Sequence, residues 1–410
     1  MSADSIPAPV KPRKINLRTP DVMARVQEQV RSHYRSVIVE RIRANGGILT
    51  VRDTTLRLAK QFGFCYGVER AIDLAYAARK VFSESRLFIL GEIIHNPLVN
   101  EQIAALGIKN LLGSGHEAEI EDLTAQDVVI VPAFGTDLIT LKKIQDRGCQ
   151  IVDTTCGDVM SVWKRVRQNA TEQVTSIIHG KAEHEETKAT ASRALGLGGG
   201  HYLIVLTLKD TDYVCNYIRH GGGKQEFLDR FKDAYSPGFD PDIHLEAVGV
   251  ANQTTMLRGE TEEVQRRIRA AILDRDGPEL GSRNFRFFDT ICGATQERQD
   301  ALGRLLQEKM NLLLVVGGYN SSNTSHLAEM GEEKLPTYFV RSASKLESPT
   351  RITHYNLHEK REIVTENWLP DGPIIVGITA GASCPNNLIE ETILRVYELR
   401  GISSNEVLVA

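Results

Sequence analysis

Three cysteines stand in matching contexts far apart in this chain of 410 residues. Cys65 lies in Phe62-Gly63-Phe64-Cys65-Tyr66-Gly67, Cys156 in Asp153-Thr154-Thr155-Cys156-Gly157, and Cys292 in Asp289-Thr290-Ile291-Cys292-Gly293. Each has a glycine one or two residues on, and a helical pattern follows each. Three thiolates from three segments could hold one [4Fe-4S] cluster by three corners and leave the fourth iron open to a substrate. Such an opening suits an enzyme, because an electron carrier generally covers all four irons with cysteine. The plain alternative is three separate buried thiols near helix starts. A structural zinc site calls for close pairs such as Cys-x-x-Cys, and the chain has none. Of the other cysteines, Cys149 reads as a core or loop residue. Cys215, in the strand-like run Tyr213-Val214-Cys215-Asn216-Tyr217, reads as packing, and Cys384 as a neighbour of the site that ligates nothing.

Five loops after apolar runs carry anion-binding groups. They are Gly91-Glu92-Ile93-Ile94-His95-Asn96-Pro97, His179-Gly180-Lys181-Ala182-Glu183-His184-Glu185-Glu186 and Ala251-Asn252-Gln253-Thr254-Thr255, then Gly317-Gly318-Tyr319-Asn320-Ser321-Ser322-Asn323-Thr324-Ser325-His326 and Thr379-Ala380-Gly381-Ala382-Ser383. Hydroxyls, amides, histidines and the N–H groups of following helices could together grip a diphosphate. One such loop says little, since Ser and Asn cap helices everywhere. Five point to a phosphorylated small molecule without naming it. A nicotinamide site lacks its motif: Gly196, Gly198, Gly199 and Gly200 form a turn with no strand immediately before it. Gly221-Gly222-Gly223-Lys224 lacks the hydroxyl that a phosphate loop needs after its lysine, and no Gly-x-Ser-x-Gly elbow occurs.

The elements that must position these groups follow one theme from residue 56. A short apolar run ends in a polar loop, and a helical pattern follows. The runs Leu87-Gly91, Val128-Val131, Thr175-Ile178, Tyr202-Leu206, Leu245-Val250, Leu312-Val316 and Ile374-Ile378 fit parallel strands covered on both faces. Helical segments include Gly67-Phe82, Val159-Ala170, Glu260-Leu273, Ala294-Lys309 and Asn387-Glu398. This is α/β construction, with its chemistry expected beyond the carboxyl ends of the strands. Pro7, Pro9 and Pro12 suggest an uncompacted start, and a charged helical stretch from about Pro20 to Ala44 stops at Gly46-Gly47. The expected division is an N-terminal extension over 1–55, α/β domains over 56–155, 156–288 and 289–400, and a tail over 401–410, with residues around Cys65 able to pack on the third domain. A net charge of −4 points to neither nucleic acid nor an anionic membrane, and no apolar run approaches the ~18 residues of a spanning helix. Six cysteines over this length are no disulfide scaffold, and Met1-Ser2-Ala3-Asp4-Ser5 lacks a secretory pattern, so a cytoplasmic protein with free thiols is expected.

From about residue 56 to 400 these residues resemble the 4-hydroxy-3-methylbut-2-enyl diphosphate reductases, enzymes of the last step of methylerythritol phosphate isoprenoid synthesis. Pro132-Ala133-Phe134-Gly135, Ile178-His179-Gly180-Lys181, Glu366-Asn367-Trp368-Leu369-Pro370 and the N-terminal extension resemble the longer cyanobacterial and plastid form. The resemblance implies a trefoil of three pseudo-threefold-related α/β domains around a central iron–sulfur cluster. It implies Cys65, Cys156 and Cys292 as the cluster ligands, Glu186 as proton donor and Thr254 facing the substrate hydroxyl. It implies substrate contacts from His95, His184, Asn252, Gln253, Ser321, Ser322, Asn323 and Ser383. Two departures stand out. Phe134 replaces a histidine of many short bacterial members, and Gly157-Asp158 follows Cys156 where proline is commoner.

The implied reaction removes the allylic hydroxyl with two electrons and two protons, giving isopentenyl and dimethylallyl diphosphates. Electrons would come from an external one-electron carrier, a ferredoxin or flavodoxin, met by Lys164, Arg165 and Arg167 or by Arg266, Arg267 and Arg269. The extension could also serve a homodimer. An iron–sulfur hydro-lyase, which needs no electron donor, and a non-enzymatic cluster-containing phosphometabolite sensor are the alternatives.

Overall fold

The protein is described by a computed structural model over residues 17–113, 116–196 and 199–410. Three parallel sheets organise it, and all three share one strand order. In the first, Leu87–Ile89 lies between Ile108–Asn110 and Val128–Val131, and Gln150–Asp153 pairs outside Val128–Val131. In the second, Thr175–His179 lies between Tyr202–Val205 and Val248–Asn252, with Phe285–Phe287 outside. In the third, Leu312–Val316 lies between Thr337–Val340 and Ile374–Ala380. Its outer place is taken by Thr54–Leu58, from the other end of the chain, which pairs in parallel with Ile374–Ala380. The expected division at residue 55 therefore falls inside a strand. The hairpin partner Ile48–Val51 adds an antiparallel edge.

The central strands form because their side chains are apolar on both faces and helices cover both. Val128–Val131 and Leu312–Val316 are buried at every position, as a parallel sheet between helix layers requires. The fourth parallel strand of each sheet leads into one cysteine: Thr54–Leu58 into Cys65, Gln150–Asp153 into Cys156, Phe285–Phe287 into Cys292. A threefold repeat of topology thus delivers a threefold repeat of sulfur.

Three local expectations are corrected. The stretch from Pro20 to Ala44 is two helices, Pro20–Tyr34 and Val37–Ala44, parted where the Ser36 side chain accepts a hydrogen bond from Val39 N and caps the second. The run around Cys215 is helix, not strand: Leu208–His220 buries Val214, Cys215, Tyr217 and Ile218 on one face, and a Thr207–Asp210 capping box starts it. Its β-branched and aromatic residues sit at helical spacing. The helix begun near Glu260 extends to Asn284, kinked where Gly277 takes φ 73° before Pro278.

Pro20–Tyr34 buries Val26 and Tyr34, and the Tyr34 ring meets Tyr76 of the helix Tyr66–Val81 at 6.5 Å. Its apolar side is therefore used within the chain. Pro7, Pro9 and Pro12 lie outside the described residues. Among the described residues no helix is long and apolar enough to cross a membrane.

Candidate functional site

Each of the three cysteines is the residue that opens a helix. Cys65 precedes Tyr66–Val81, Cys156 precedes Gly157–Thr171, and Cys292 precedes Gly293–Leu305. Helix starts offer unpaired N–H groups and a positive dipole end, which favour a thiolate. All three line one cavity. Gly67 lets two of them meet, because a Cβ there would lie 2.6 Å from Cys156 Sγ and 3.9 Å from Cys65 Sγ. The Cys292 sulfur is 2.9 Å from Thr295 Oγ1 and accepts from Thr295 N at 3.2 Å. Buried Arg298 ties this helix to the Cys65 loop, donating to Gly63 O at 2.5 Å and Phe64 O at 3.1 Å.

None of the six cysteines is in a disulfide. Burial pushes the Cys156 thiol up, and the Cys292 thiol up to about 12. Thiols that burial keeps protonated, as at Cys156 and Cys292, become thiolates when a metal supplies the positive charge. The donor set therefore fits an iron–sulfur group. Cys149, Cys215 and Cys384 are buried and do not line this cavity. Cys149 Sγ donates instead to Thr124 O at 3.3 Å.

The same cavity gathers polar groups of the kind that could hold an anion. His184 opens the helix Glu185–Ala194 and its Nδ1 accepts from Glu186 N at 3.1 Å. Its proton must then sit on Nε2, which is buried without a protein partner. Burial holds His184 well below the usual histidine range, so it is a neutral donor. The His95 ring stands 4.9 Å away at 77°, and its Nε2 is likewise buried and unpartnered. His95, His184 and Glu185 bring their ligand atoms within 4.8 Å of one another. They would resemble a cation site, but a protonated Nε2 on His184 cannot ligate a cation.

Ser321 opens the helix Ser322–Glu332, whose first N–H groups face the same space. Asn323 Oδ1 accepts from Ala382 N at 2.9 Å, leaving its Nδ2 buried and unpartnered. Ser383 Oγ donates to His95 O at 3.1 Å and so joins the first and third units. Phe134 stacks on His95 with centroids 4.6 Å apart and planes 5° apart. Asp158 sits in the first turn of the Cys156 helix and lines the cavity.

Glu186 lines the same cavity. Its carboxylate is buried and accepts from Thr254 N at 2.6 Å and from Thr254 Oγ1 at 3.0 Å. Desolvation pushes it up to about 7 despite those two bonds. A carboxyl that titrates near neutrality can both give and retake a proton. Three thiols, a carboxyl that titrates near neutrality and several unpartnered polar groups thus share one cavity.

Residues 56–397 match the family model described as LytB protein. The chain belongs to the LytB protein family. It is 46% identical over 387 residues to 4-hydroxy-3-methylbut-2-enyl diphosphate reductase from Gloeobacter violaceus, covering 93% of this chain and 92% of that one. It is 44% identical over 382 residues to the protein of the same name from Cyanothece sp., covering 93% of each. A solved structure of (E)-4-hydroxy-3-methyl-but-2-enyl diphosphate reductase, the terminal enzyme of the non-mevalonate pathway, is 26% identical with a TM-score of 0.52, covering 84% of this chain and 99% of that one. The reductase from Plasmodium falciparum, at 20% identity and a TM-score of 0.60, shares the fold over 82% of this chain and 86% of its own.

In this LytB-family chain two of the expected substrate contacts stand behind the cavity wall. Asn252 is fully buried, donates to Gln253 O at 3.0 Å and accepts from the Thr290 hydroxyl. Gln253 Oε1 accepts from Lys181 N and Thr187 Oγ1, each at 3.2 Å, while its Nε2 donates to Ser322 Oγ at 3.1 Å. Both amides brace loops of the wall. Two residues of the site were not singled out from sequence, Arg298 and Glu92, and Gly67 was noted only as the glycine that follows Cys65. Glu92 carried a signal, since it lies three residues before His95 in a loop already marked for anions.

Proposed function

We propose that this chain reduces 4-hydroxy-3-methylbut-2-enyl diphosphate to isopentenyl and dimethylallyl diphosphates, consuming two electrons and two protons and releasing water. The observation that carries the reading is the convergence of Cys65, Cys156 and Cys292 on the cavity that also holds the Glu186–Thr254 pair and two unpartnered histidine nitrogens. The names of relatives similar over nine-tenths of the chain support it.

Cys65, Cys156 and Cys292 would hold a [4Fe-4S] cluster by three irons; when bound, it supplies single electrons and an open Lewis-acidic iron for the substrate hydroxyl. His95, His184, Ser321, Ser322, Asn323 and Ser383 hold the diphosphate. Glu186 gives a proton to the departing hydroxyl, and Thr254 fixes the carboxyl between its backbone N–H and its own hydroxyl. Burial of these groups keeps bulk water from the allylic carbons.

An external one-electron carrier such as a ferredoxin or flavodoxin completes the reading. Lys164, Arg165 and Arg167 are exposed on the helix opened by Cys156 and make no ion pair among the described residues. Arg165 instead lies 4.6 Å over the Phe288 ring, near Cys292. Arg266 and Arg267 are spent on Glu263 and Asp212, which favours the first patch. Free thiols suit a reducing compartment such as the cytoplasm. The reading needs no homodimer, since the N-terminal helix uses its apolar side within the chain.

The test is anaerobic loading with iron and sulfide, then incubation with substrate and reduced ferredoxin. Both diphosphate products are expected, and only with reductant. Dehydration without reductant would replace the reading with a hydro-lyase. Binding without turnover would replace it with a sensor.

A further inference from the structure

Each helix opened by a cysteine carries an arginine that reaches the loop before another cysteine. Arg70 follows Cys65 by five residues and donates to Thr154 O and Thr155 O, both at 3.1 Å, in the two residues before Cys156. Arg165, on the helix opened by Cys156, lies 4.6 Å over the Phe288 ring, in the loop before Cys292. Arg298 follows Cys292 by six residues and donates to Gly63 O at 2.5 Å and Phe64 O at 3.1 Å, in the two residues before Cys65. The path from Cys65 to Cys156 to Cys292 and back to Cys65 is closed. Helical side chains lean toward the N-terminus of their helix, so each arginine is carried back toward the end where a sulfur stands.

None of the three arginines lines the cavity, and none makes an ion pair among the described residues. Carbonyls answer a guanidinium's hydrogen bonds but not its charge. Arg298 is only 3% exposed, so its charge is the least screened of the three. Burial holds it below the usual arginine range, and the charges that oppose burial come first from the Cys65 and Cys292 sulfurs, then from Glu297 and Glu69. Arg70 is half-buried and Arg165 is exposed. The ring is therefore hydrogen-bonded over two arcs and held by a ring contact alone over the third.

We infer that Arg70, Arg165 and Arg298 form a directed ring that fixes the three cysteine loops against one another and lays positive charge beside the sulfurs. All three are positioning residues for the metal group, and the inference rests on the iron–sulfur reading above. Ligands drawn from three units need outer partners to hold them in register. Thiolates and a reduced cluster are negative, so a buried cation that stays in place favours the reduced state.

The experiment mixes the anaerobically loaded protein with a ferrous chelator and follows iron release by absorbance. A dye-mediated titration reads the midpoint potential. Arg298→Met should release iron about tenfold faster, the usual worth of an outer-shell partner. Its one-electron equilibrium should shift about tenfold toward the oxidised state, a fall of about 59 mV. Arg298→Lys should restore the potential but not the retention of iron, since an ammonium keeps the charge without the planar fork. Arg70→Met should release iron about tenfold faster, and Arg165→Met less than about twofold faster. Release at the wild-type rate in both Arg70→Met and Arg298→Met would overturn the inference. Faster release with an unmoved potential in Arg298→Met would also overturn it, as the mark of a general loosening. Should Arg298→Met fail to fold, unchanged release in Arg70→Met would overturn it alone. If wild type loads a cluster and the variants match it, the ring falls and the proposed function stands; if wild type loads none, both fall.

Discussion

Glu186 is held by one residue twice: Thr254 donates its backbone N–H to one carboxylate oxygen and its hydroxyl to the other. Both bonds favour the charged form, yet full burial outweighs them and leaves the group titrating at about 7. The carboxyl is oriented by Thr254 and tuned by its surroundings, two conditions a proton donor needs together.

Glu186→Gln keeps the shape and both hydrogen bonds, since the threonine hydroxyl can turn to accept. Single-turnover reduction should slow by about 10²–10⁴-fold, the usual worth of a positioned acid, with substrate affinity nearly kept. With a viologen reductant the wild-type rate should fall as pH rises through about 7, while the variant stays uniformly low. A wild-type rate in Glu186→Gln would remove the residue from the proton path.

The same group carries a stability signature. Its carboxyl titrates at 4.5 when unfolded and about 7 when folded, so the folded state holds its proton more tightly. Stability contributed by the neutral acid is complete below pH 4.5 and is lost as pH rises to about 7, on the order of 3 kcal/mol. Glu186→Gln should therefore melt higher than wild type above pH 7 and equally near pH 4. Thermal unfolding across that range checks the sign.

Gly67→Ala tests how closely the sulfurs must meet. Its Cβ would sit 2.6 Å from Cys156 Sγ, against open space at Gly157 and Gly293. Iron content should fall to less than about half in Gly67→Ala, with far-ultraviolet circular dichroism unchanged. Gly157→Pro should load normally, because the first helical position tolerates proline. Full iron occupancy in Gly67→Ala would show that Cys156 can shift to admit the methyl group and that loading does not require glycine there.

Serine at Cys65, Cys156 or Cys292 should abolish the visible absorbance of the loaded protein and its turnover. Serine at Cys149, Cys215 or Cys384, all buried away from the cavity, should leave both. Loss of cluster in any of the second set would reassign the ligands.

Charge reversal on the Cys156 helix tests the donor surface. Lys164→Glu with Arg167→Glu should raise KM for reduced ferredoxin about tenfold and flatten its salt dependence, leaving viologen-driven turnover alone. The same reversal at Arg266 should do little, as Glu263 already neutralises it.

The chemistry of the site was legible because its signals are local. A cysteine followed by glycine and a helical pattern predicts a sulfur at a helix start, and each of the three is one. The trefoil plan was carried by resemblance, and three like-ordered parallel sheets stand behind it. What the sequence hid was non-local. No spacing shows that Thr54–Leu58 closes a sheet built from residues 312–380. Nor does composition show which glycine is required by contact, since Gly67 touches a sulfur that is 89 positions away in the chain and Gly157 touches nothing. Around Cys215 the period of burial was misread, because tyrosine and valine favour strands by type and here fill a helix face by position.

Thr54–Leu58 also has a schedule. Its parallel pairing partner, Ile374–Ala380, is synthesised some 320 residues later, so until then the strand that aims Cys65 has only its hairpin partner Ile48–Val51. The strands of the first two sheets are all made before residue 374, but the third sheet cannot close until that residue has been made. Until then the sheet that carries Cys65 is incomplete, while the strands that lead to Cys156 and Cys292 already have their partners. A chain cut short before residue 374 would keep every strand of the first two sheets and lose the strand that Thr54–Leu58 needs, and with it the placement of Cys65.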